Sequence, residues 1–242
     1  MSKVSIAMTT YNGEKYLEQQ LLSIFNQKRQ PDEVIICDDG SSDRTVMIAQ
    51  QFITKYNLQD NWRIIKNKYN KGLTKNFLEC ASMTTGDIIF FSDQDDVWRA
   101  NKISKMATLF EHNYKIKAMS CNVTIIDKEG NKLKYILNLL QKNKADIQQI
   151  PFSMQIRNNR SAGLTLAVRR ELLNYAKPII FQYNLPYDLP MGLFASVFGG
   201  YYLLKEPLVY RRVHSQNLST PKYTLKSRIQ NVDYHISGRR LR

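Results

Sequence analysis

At 242 residues with 43% hydrophobic residues, the chain is long enough for one large globular unit or two closely packed lobes. Lys and Arg number 35 against 21 Asp and Glu, and the formal net charge of +14 points to an anionic partner such as a nucleotide, a nucleic acid or an acidic membrane. Cys37, Cys80 and Cys121 are odd in number, far apart and set in apolar segments, which excludes a disulfide framework and suits small core residues in a reducing cytoplasm.

The opening residues Met1 to Met8 reach Thr9, Thr10 and Asn12 too soon for the apolar region of a signal peptide, so the chain is expected to start in the cytosol. Strands and helices then alternate over the first hundred residues, the pattern of a mainly parallel sheet covered on both faces. Val4 to Thr9 is a strand, and Asn12-Gly13 is a turn and N-cap before Leu17, Leu21, Leu22, Ile24 and Phe25, which share one helical face. Val34 to Cys37 is a second strand. Ser41-Ser42-Asp43 caps a helix through Val46, Ile48, Ala49 and Phe52. Trp62 to Ile65 is a third strand, Asn67 to Gly72 a loop, Thr74 to Met83 a helix, and Asp87 to Phe91 a fourth strand.

The polar clusters Thr9 to Asn12, Asp38 to Ser42 and Asp93 to Asp96 each lie where a strand has just ended. Ligands of open α/β sheets bind at the carboxyl ends of strands, so the three clusters are expected to converge on one crevice. Asp93, Asp95 and Asp96 repel one another unless a cation joins them, and hard divalent ions such as Mg²⁺ or Mn²⁺ take oxygen ligands at such a turn. An acidic turn that simply faces water is the plainer alternative, and the shared location of the three clusters argues against it.

Beyond Trp98 a helix is expected from about 101 to 113, then a strand over Ala118 to Ile126 and a turn at 127–131. Residues 132–160 are rich in Lys, Asn and Gln, weakly patterned, and read as a mobile, lid-like connection. Strand character returns over Ser161 to Val168, followed by a helix over Arg169 to Ala176, a second helix from Pro186 to about Phe198, and short strands over Tyr201 to Leu204 and Pro207 to Val213. Residues 189–204 are uncharged, but Pro190, Gly192, Gly199 and Gly200 interrupt a run already shorter than the ~20 residues of a spanning helix. Residues 205–242 hold nine basic residues against two acidic ones, a tail that either solubilises the chain or faces a membrane. The sequence stops inside an amphipathic stretch at Gly238 to Arg242, as a chain shortened at its C-terminus would.

Four motifs stand in order over about a hundred residues: Val4 to Asn12, Asp38 to Asp43, Asn70-Lys71-Gly72 through Lys75-Asn76, and Asp93-Gln94-Asp95-Asp96. With Asp188 and Tyr210 to Asn217, they resemble the family 2 glycosyltransferases over roughly residues 3–220. That resemblance implies the GT-A fold, a Rossmann-like, mainly parallel central sheet flanked by helices. It divides the chain into a nucleotide-sugar-binding half (1–100), a smaller acceptor-binding half of the same catalytic domain (101–217) and the basic tail (218–242).

By the same resemblance, Thr9 and Tyr11 line a base and ribose pocket and Asp39 hydrogen-bonds the base. Asp38 either assists Asp39 or caps the loop that follows. Lys71 or Lys75 meets phosphate, with a solvated surface lysine as the alternative; Asp93 meets ribose or a metal-bound water, Asp95 binds Mn²⁺ or Mg²⁺, and His214 is a further metal ligand or stands near the diphosphate. Asp188 is the implied general base, with a helix-capping Asp as the alternative; Tyr187 stands before it where many relatives carry His, which bears on the acceptor.

The activity so implied is metal-dependent, inverting transfer from a nucleoside diphosphate sugar, dTDP-rhamnose or a UDP-hexose, to a hydroxyl of a cell-surface polysaccharide or lipid-linked glycan. The Asp93 to Trp98 variant is similar to that of bacterial enzymes building rhamnose-containing polysaccharides. Such acceptors are often polyprenyl-linked, which implies a cytoplasmic enzyme in peripheral contact with the anionic inner face of the plasma membrane. The rivals are a nucleotidyltransferase, which lacks its Gly-rich basic loop at Thr9 to Gly13, a metal phosphohydrolase, and a nucleic-acid-binding module, for which no reader motif is present. No nucleic-acid partner is expected, and oligomeric state is not legible.

Overall fold

Val4, Ile6 and Met8 alternate with Ser5 and Ala7 along the first strand, and the period of two sends the former to one face of a sheet and Ala7 to the other. The computed structural model describes residues 1–137, 146–157, 161–215 and 217. In chain order its elements are β1 (Val4–Thr10), α1 (Leu17–Phe25), β2 (Glu33–Asp38), α2 (Thr45–Lys55), β3 (Trp62–Lys66), α3 (Leu73–Met83), β4 (Ile88–Ser92), β5 (Val97–Trp98), α4 (Lys102–His112) and β6 (Ala118–Ile126). There follow β7 (Lys132–Leu137), β8 (Ile147–Gln149), α5 (Phe152–Arg157), a 3₁₀ turn at Gly163–Thr165, β9 (Ala167–Arg169), α6 (Arg170–Tyr183), α7 (Asp188–Val197) and β10 (Tyr201–Arg212).

One ten-stranded sheet runs β3-β2-β1-β4-β9-β6-β10-β5, with β7 added on β6 and β8 on β10. It is parallel from β3 to β4 and mixed beyond, where β9 pairs antiparallel to both β4 and β6 while β10 runs parallel to β6. Both faces are covered. Leu17, Leu21 and Ile24 of α1 and Ile103, Met106 and Phe110 of α4 pack on one face, and Phe77 and Leu78 of α3, Leu172 of α6 and Met191 of α7 on the other. Covering both faces is why β1 and β4 are buried along their whole length and read as continuous apolar runs. The three cysteines are free and buried in this core.

Four expectations need correction. Asn12 does not cap α1: it adopts a left-handed backbone with φ of 47°, its side-chain Oδ1 accepts the Ser42 N–H at 2.9 Å, and the helix starts later, at Leu17. The described part of 132–160 is built into the fold, because β7 and β8 find sheet partners and α5 packs its buried Gln155 on the Gly192 face of α7. Strand character over Ser161 to Val168 narrows to β9, behind the 3₁₀ turn. The two closing strands are one, β10, kept continuous by register shifts around Pro207, a residue that cannot donate to the ladder. The basic tail at 218–242 lies outside the described residues. No helix among the described residues is long and apolar enough to cross a membrane.

Candidate functional site

Because β1, β2 and β4 run parallel, their carboxyl ends share one edge of the sheet. A cleft of about 550 Å³ opens there, and Thr9, Tyr11, Asp39, Asp93, Asp95 and His214 all line it. Its floor is tied across the strands by an amide clamp. Gln94 Oε1 accepts the Tyr11 N–H at 2.8 Å and Gln94 Nε2 donates to the Tyr11 carbonyl at 2.9 Å. Gly13 is needed beneath this clamp, since a Cβ at that position would overlap the Gln94 amide.

Two adjacent carboxylates at the end of β2 take different tasks. Asp39 Oδ1 accepts from the Lys71 N–H at 2.8 Å and the Asn67 amide at 3.0 Å, and its Oδ2 accepts from the Gly72 N–H at 2.9 Å. A carboxylate offers about four lone-pair sites, so one is left for a donor in the cleft. Asp38 points inward instead. It is fully buried, does not line the cleft, and accepts from Thr10 Oγ1 at 2.9 Å, the Ser41 N–H at 2.8 Å and Ser41 Oγ at 2.5 Å. These bonds make Asp38 the cap of the loop that follows β2, one of the two roles expected of it. Asp38→Ala strands three buried donors, so it should cost about 2–3 kcal/mol in denaturant unfolding, a loss that Asp38→Asn should largely spare.

The lysines also depart from expectation. The Lys71 ammonium pairs with Glu79 at 2.5 Å, which holds its pKa above the ordinary value, and only its main chain reaches Asp39. Lys75 is exposed, and neither side chain lines the cleft.

At the end of β4 the acidic turn separates three roles. Asp96 is buried, its Oδ1 accepts the Arg212 N–H at 3.1 Å, and burial together with the charges of Asp95 and Asp93 pushes its pKa well up. Asp93 faces the cleft, and burial followed by the Asp95 charge raises it to about 7. Asp95 Oδ2 lies 2.8 Å from His214 Nε2 and accepts from Asn217 Nδ2 at 3.0 Å. Among the described residues no group of three or more His, Cys, Asp or Glu side chains is arranged to hold a metal ion. The Asp95 carboxylate fits Mg²⁺ or Mn²⁺, ions that take one or two carboxylates and complete their shell with waters and substrate phosphates, and the His214 imidazole stands beside it. Burial first and the neighbouring Asp95 charge second lift Asp93, and a divalent cation relieves the second of these.

Asp188 opens α7 and does not itself line the cleft, although its charge is felt at Asp93, which does. Its Oδ2 accepts the Gly163 N–H at 3.2 Å and its Oδ1 the Leu189 N–H at 2.9 Å. The Leu189 N–H is a first-turn donor of α7, so the capping role stays beside that of general base. Burial raises its pKa. Tyr187 before it is buried against Phe77 and Phe91, with ring centroids 4.5 and 5.1 Å away, and this packing sets where the helix begins.

Two buried cations behind the cleft are not among the residues expected from the sequence. Lys102 is fully buried, with Nζ 3.5 Å from the Trp98 ring centroid and donating to the Leu164 carbonyl at 3.3 Å. Leu164 lines the cleft next to the Gly163 that holds Asp188. Burial lowers Lys102 to about 8, against the opposing pull of Cys121, Asp96 and Asp93. The signal was present: Lys102 stands one turn before Met106 on the apolar face of α4. Arg212 is 1% exposed although it sits in the segment read as a basic tail.

Comparison with known proteins bears on this geometry. A family profile described as Glycosyl transferase family 2 matches residues 5–173. The putative glycosyltransferase EpsE of Bacillus subtilis is 34% identical over 128 residues, 53% of this chain and 45% of EpsE. The dTDP-rhamnosyl transferase RfbG of Shigella flexneri is 29% identical over 235 residues, 93% of this chain and 78% of RfbG. The chain thus spans less than half of one relative and about three quarters of the other. Among solved structures, Staphylococcus aureus TarS in complex with UDP superposes with a TM-score of 0.67 at 21% identity, covering 87% of this chain and 60% of that one, a likeness of fold.

Proposed function

The chain belongs to glycosyl transferase family 2, and from that premise we propose that it is an inverting, metal-dependent enzyme moving one sugar from a nucleoside diphosphate sugar to a hydroxyl of a cell-surface polysaccharide or lipid-linked glycan. The observation that carries this reading is the single cleft where Thr9, Tyr11, Asp39, Asp93, Asp95 and His214 meet. A deoxythymidine diphosphate rhamnose donor is favoured by the similarity to RfbG across most of the chain, with a uridine diphosphate hexose as the other candidate. Family membership favours glycosyl transfer over phosphohydrolase or nucleotidyltransferase chemistry and over nucleic-acid binding.

In this mechanism Tyr11 and Thr9 wall the nucleoside, and Asp39, held by main-chain donors, accepts from the base edge. Asp95 and His214 would hold Mg²⁺ or Mn²⁺, and Asp93 meets the ribose or a water beside it. The metal, when bound, offsets the charge that the diphosphate gains as it leaves. Asp188 accepts the proton of the acceptor hydroxyl. The acceptor oxygen then bonds to the anomeric carbon on the face opposite the departing diphosphate, the bond from that carbon to phosphate oxygen breaks, and the configuration inverts. The cleft walls exclude water from a donor that would otherwise hydrolyse. The basic C-terminal segment carries the chain to the anionic inner face of the plasma membrane, where such acceptors reside.

The test is a thermal-shift panel of uridine, thymidine and guanosine diphosphates and their sugars, each with Mn²⁺ or with EDTA. One of the first two nucleotides is expected to stabilise the protein only with metal, by about 2.7 kcal/mol at a hundred times its dissociation constant. Asp95→Asn should abolish the metal dependence while leaving the unliganded melting temperature in place. Equal stabilisation in EDTA would remove the metal from the mechanism.

A further inference from the structure

We propose that Arg212 is a positioning residue for the diphosphate end of the cleft, holding Asp95 and His214 in mutual register from behind. The inference rests on the donor-binding role proposed for that pair. Arg212 Nε donates to the Asp95 carbonyl at 3.0 Å, Nη1 donates to the carbonyls of Asp127 and Lys128 at 3.2 Å each, and Nη2 donates to Gln19 Oε1. Its main-chain N–H reaches Asp96 Oδ1, and its guanidinium lies 4.7 Å from the centroid of Tyr16, whose own ring is 4.8 Å from that of His214.

Three features distinguish this arrangement from ordinary packing. Burying a guanidinium costs several kcal/mol, and an apolar side chain of similar length would fill the same space without that cost. The oxygens that receive it come from three separate segments, the acidic turn, the turn at 127–128 and α1, and the planar fork of arginine can serve all three at once where a lysine cannot. The partners of the fork are neutral carbonyl and amide oxygens, so it fixes the main-chain course of the acidic turn rather than pairing with one of its carboxylates. Tyr16 extends the same support to His214, giving both members of the 2.8 Å pair a common anchor.

Calorimetric titration of the wild type, Arg212→Met and Gln19→Ala with uridine and thymidine diphosphates, with Mn²⁺ and with EDTA, tests this. Loss of an outer support lowers metal affinity about 10- to 100-fold, so Arg212→Met should raise the Mn²⁺-dependent dissociation constant by that factor. Binding of uridine or thymidine without phosphates should stay unchanged, which a general loosening of the fold would not allow. Gln19→Ala, at an exposed helix position, should give a smaller rise in the same Mn²⁺-dependent constant at an unchanged melting temperature. Equal Mn²⁺-dependent affinities in wild type and Arg212→Met overturn the inference, as does an equal loss of metal-dependent and nucleoside binding. Should Arg212→Met fail to fold, an unchanged constant in Gln19→Ala overturns it. A wild type that binds neither diphosphate overturns instead the donor-site reading beneath it.

Discussion

Asp188→Asn is expected to lower glycosyl transfer by about 10² to 10⁴, the usual contribution of a general base, while donor binding stays near the wild-type value. Asn keeps the shape of the side chain and its single carbonyl oxygen can still accept one of the Gly163 and Leu189 N–H groups, but its amide has no lone pair basic enough to take the hydroxyl proton. Burial raises the Asp188 pKa, so the rate should climb with pH along a limb lying above the ordinary carboxylate range. The stability sign is opposite. A carboxyl whose pKa is higher folded than unfolded contributes stability below its unfolded pKa and loses it as pH rises through the folded one. Any stability advantage of the wild type over the variant, which cannot titrate, should therefore shrink as pH rises through the folded pKa. Initial rates across pH with saturating donor, beside thermal melts, check both parts. Near wild-type transfer in the variant would move the base elsewhere, and loss of donor binding would make Asp188 part of the donor pocket.

The second large effect belongs to Lys102→Met, read as a difference between two pH values. Burial lowers Lys102 from 10.5 to about 8, so the unfolded chain binds more protons than the folded one between these values, and wild-type stability gains with pH across that window. Each tenfold change in proton affinity is worth about 1.4 kcal/mol, so the gain approaches about 3 kcal/mol. Methionine fills the same apolar slot without titrating. The advantage of the variant over the wild type should accordingly shrink by about 3 kcal/mol as pH rises through the window. Denaturant unfolding at both ends of the window measures it. A difference independent of pH would mean that water reaches the ammonium group.

The inner parallel strands β1, β2 and β4 are legible in the sequence because they bury both faces and leave apolar runs, as in Val34 to Cys37 and Ile88 to Phe91. β5, β7 and β8 are not, because two or three residues of pairing carry no period of their own and are decided by the neighbours β6 and β10. The same contrast runs through the cleft. Thr9, Tyr11, Asp39, Asp93 and Asp95 follow from polar residues placed at strand ends, a local pattern. The inward turn of Asp38 depends on Thr10 and Ser41, and the engagement of Lys71 with Glu79 depends on the course of α3, so side-chain direction there had no local signal. Lys102 and Arg212 escaped for a simpler reason: charge ordinarily marks the surface, and only contacts distant in the chain tell when it does not.

The bond from Arg212 to the Asp95 carbonyl spans 117 residues. At the usual pace of translation, about 5–20 residues per second, a ribosome delivers the acidic turn on the order of ten seconds before the guanidinium that supports it. During that interval β1 to β4 can pair among themselves, yet β5 has no strand to join, since its partner is β10. The nascent chain thus brings the ends of β1, β2 and β4 together early and adds the support behind Asp95 later. Completion of the cleft waits on the emergence of β10, the last strand among the described residues, and until then the acidic turn lacks the bonds that β10 supplies to it.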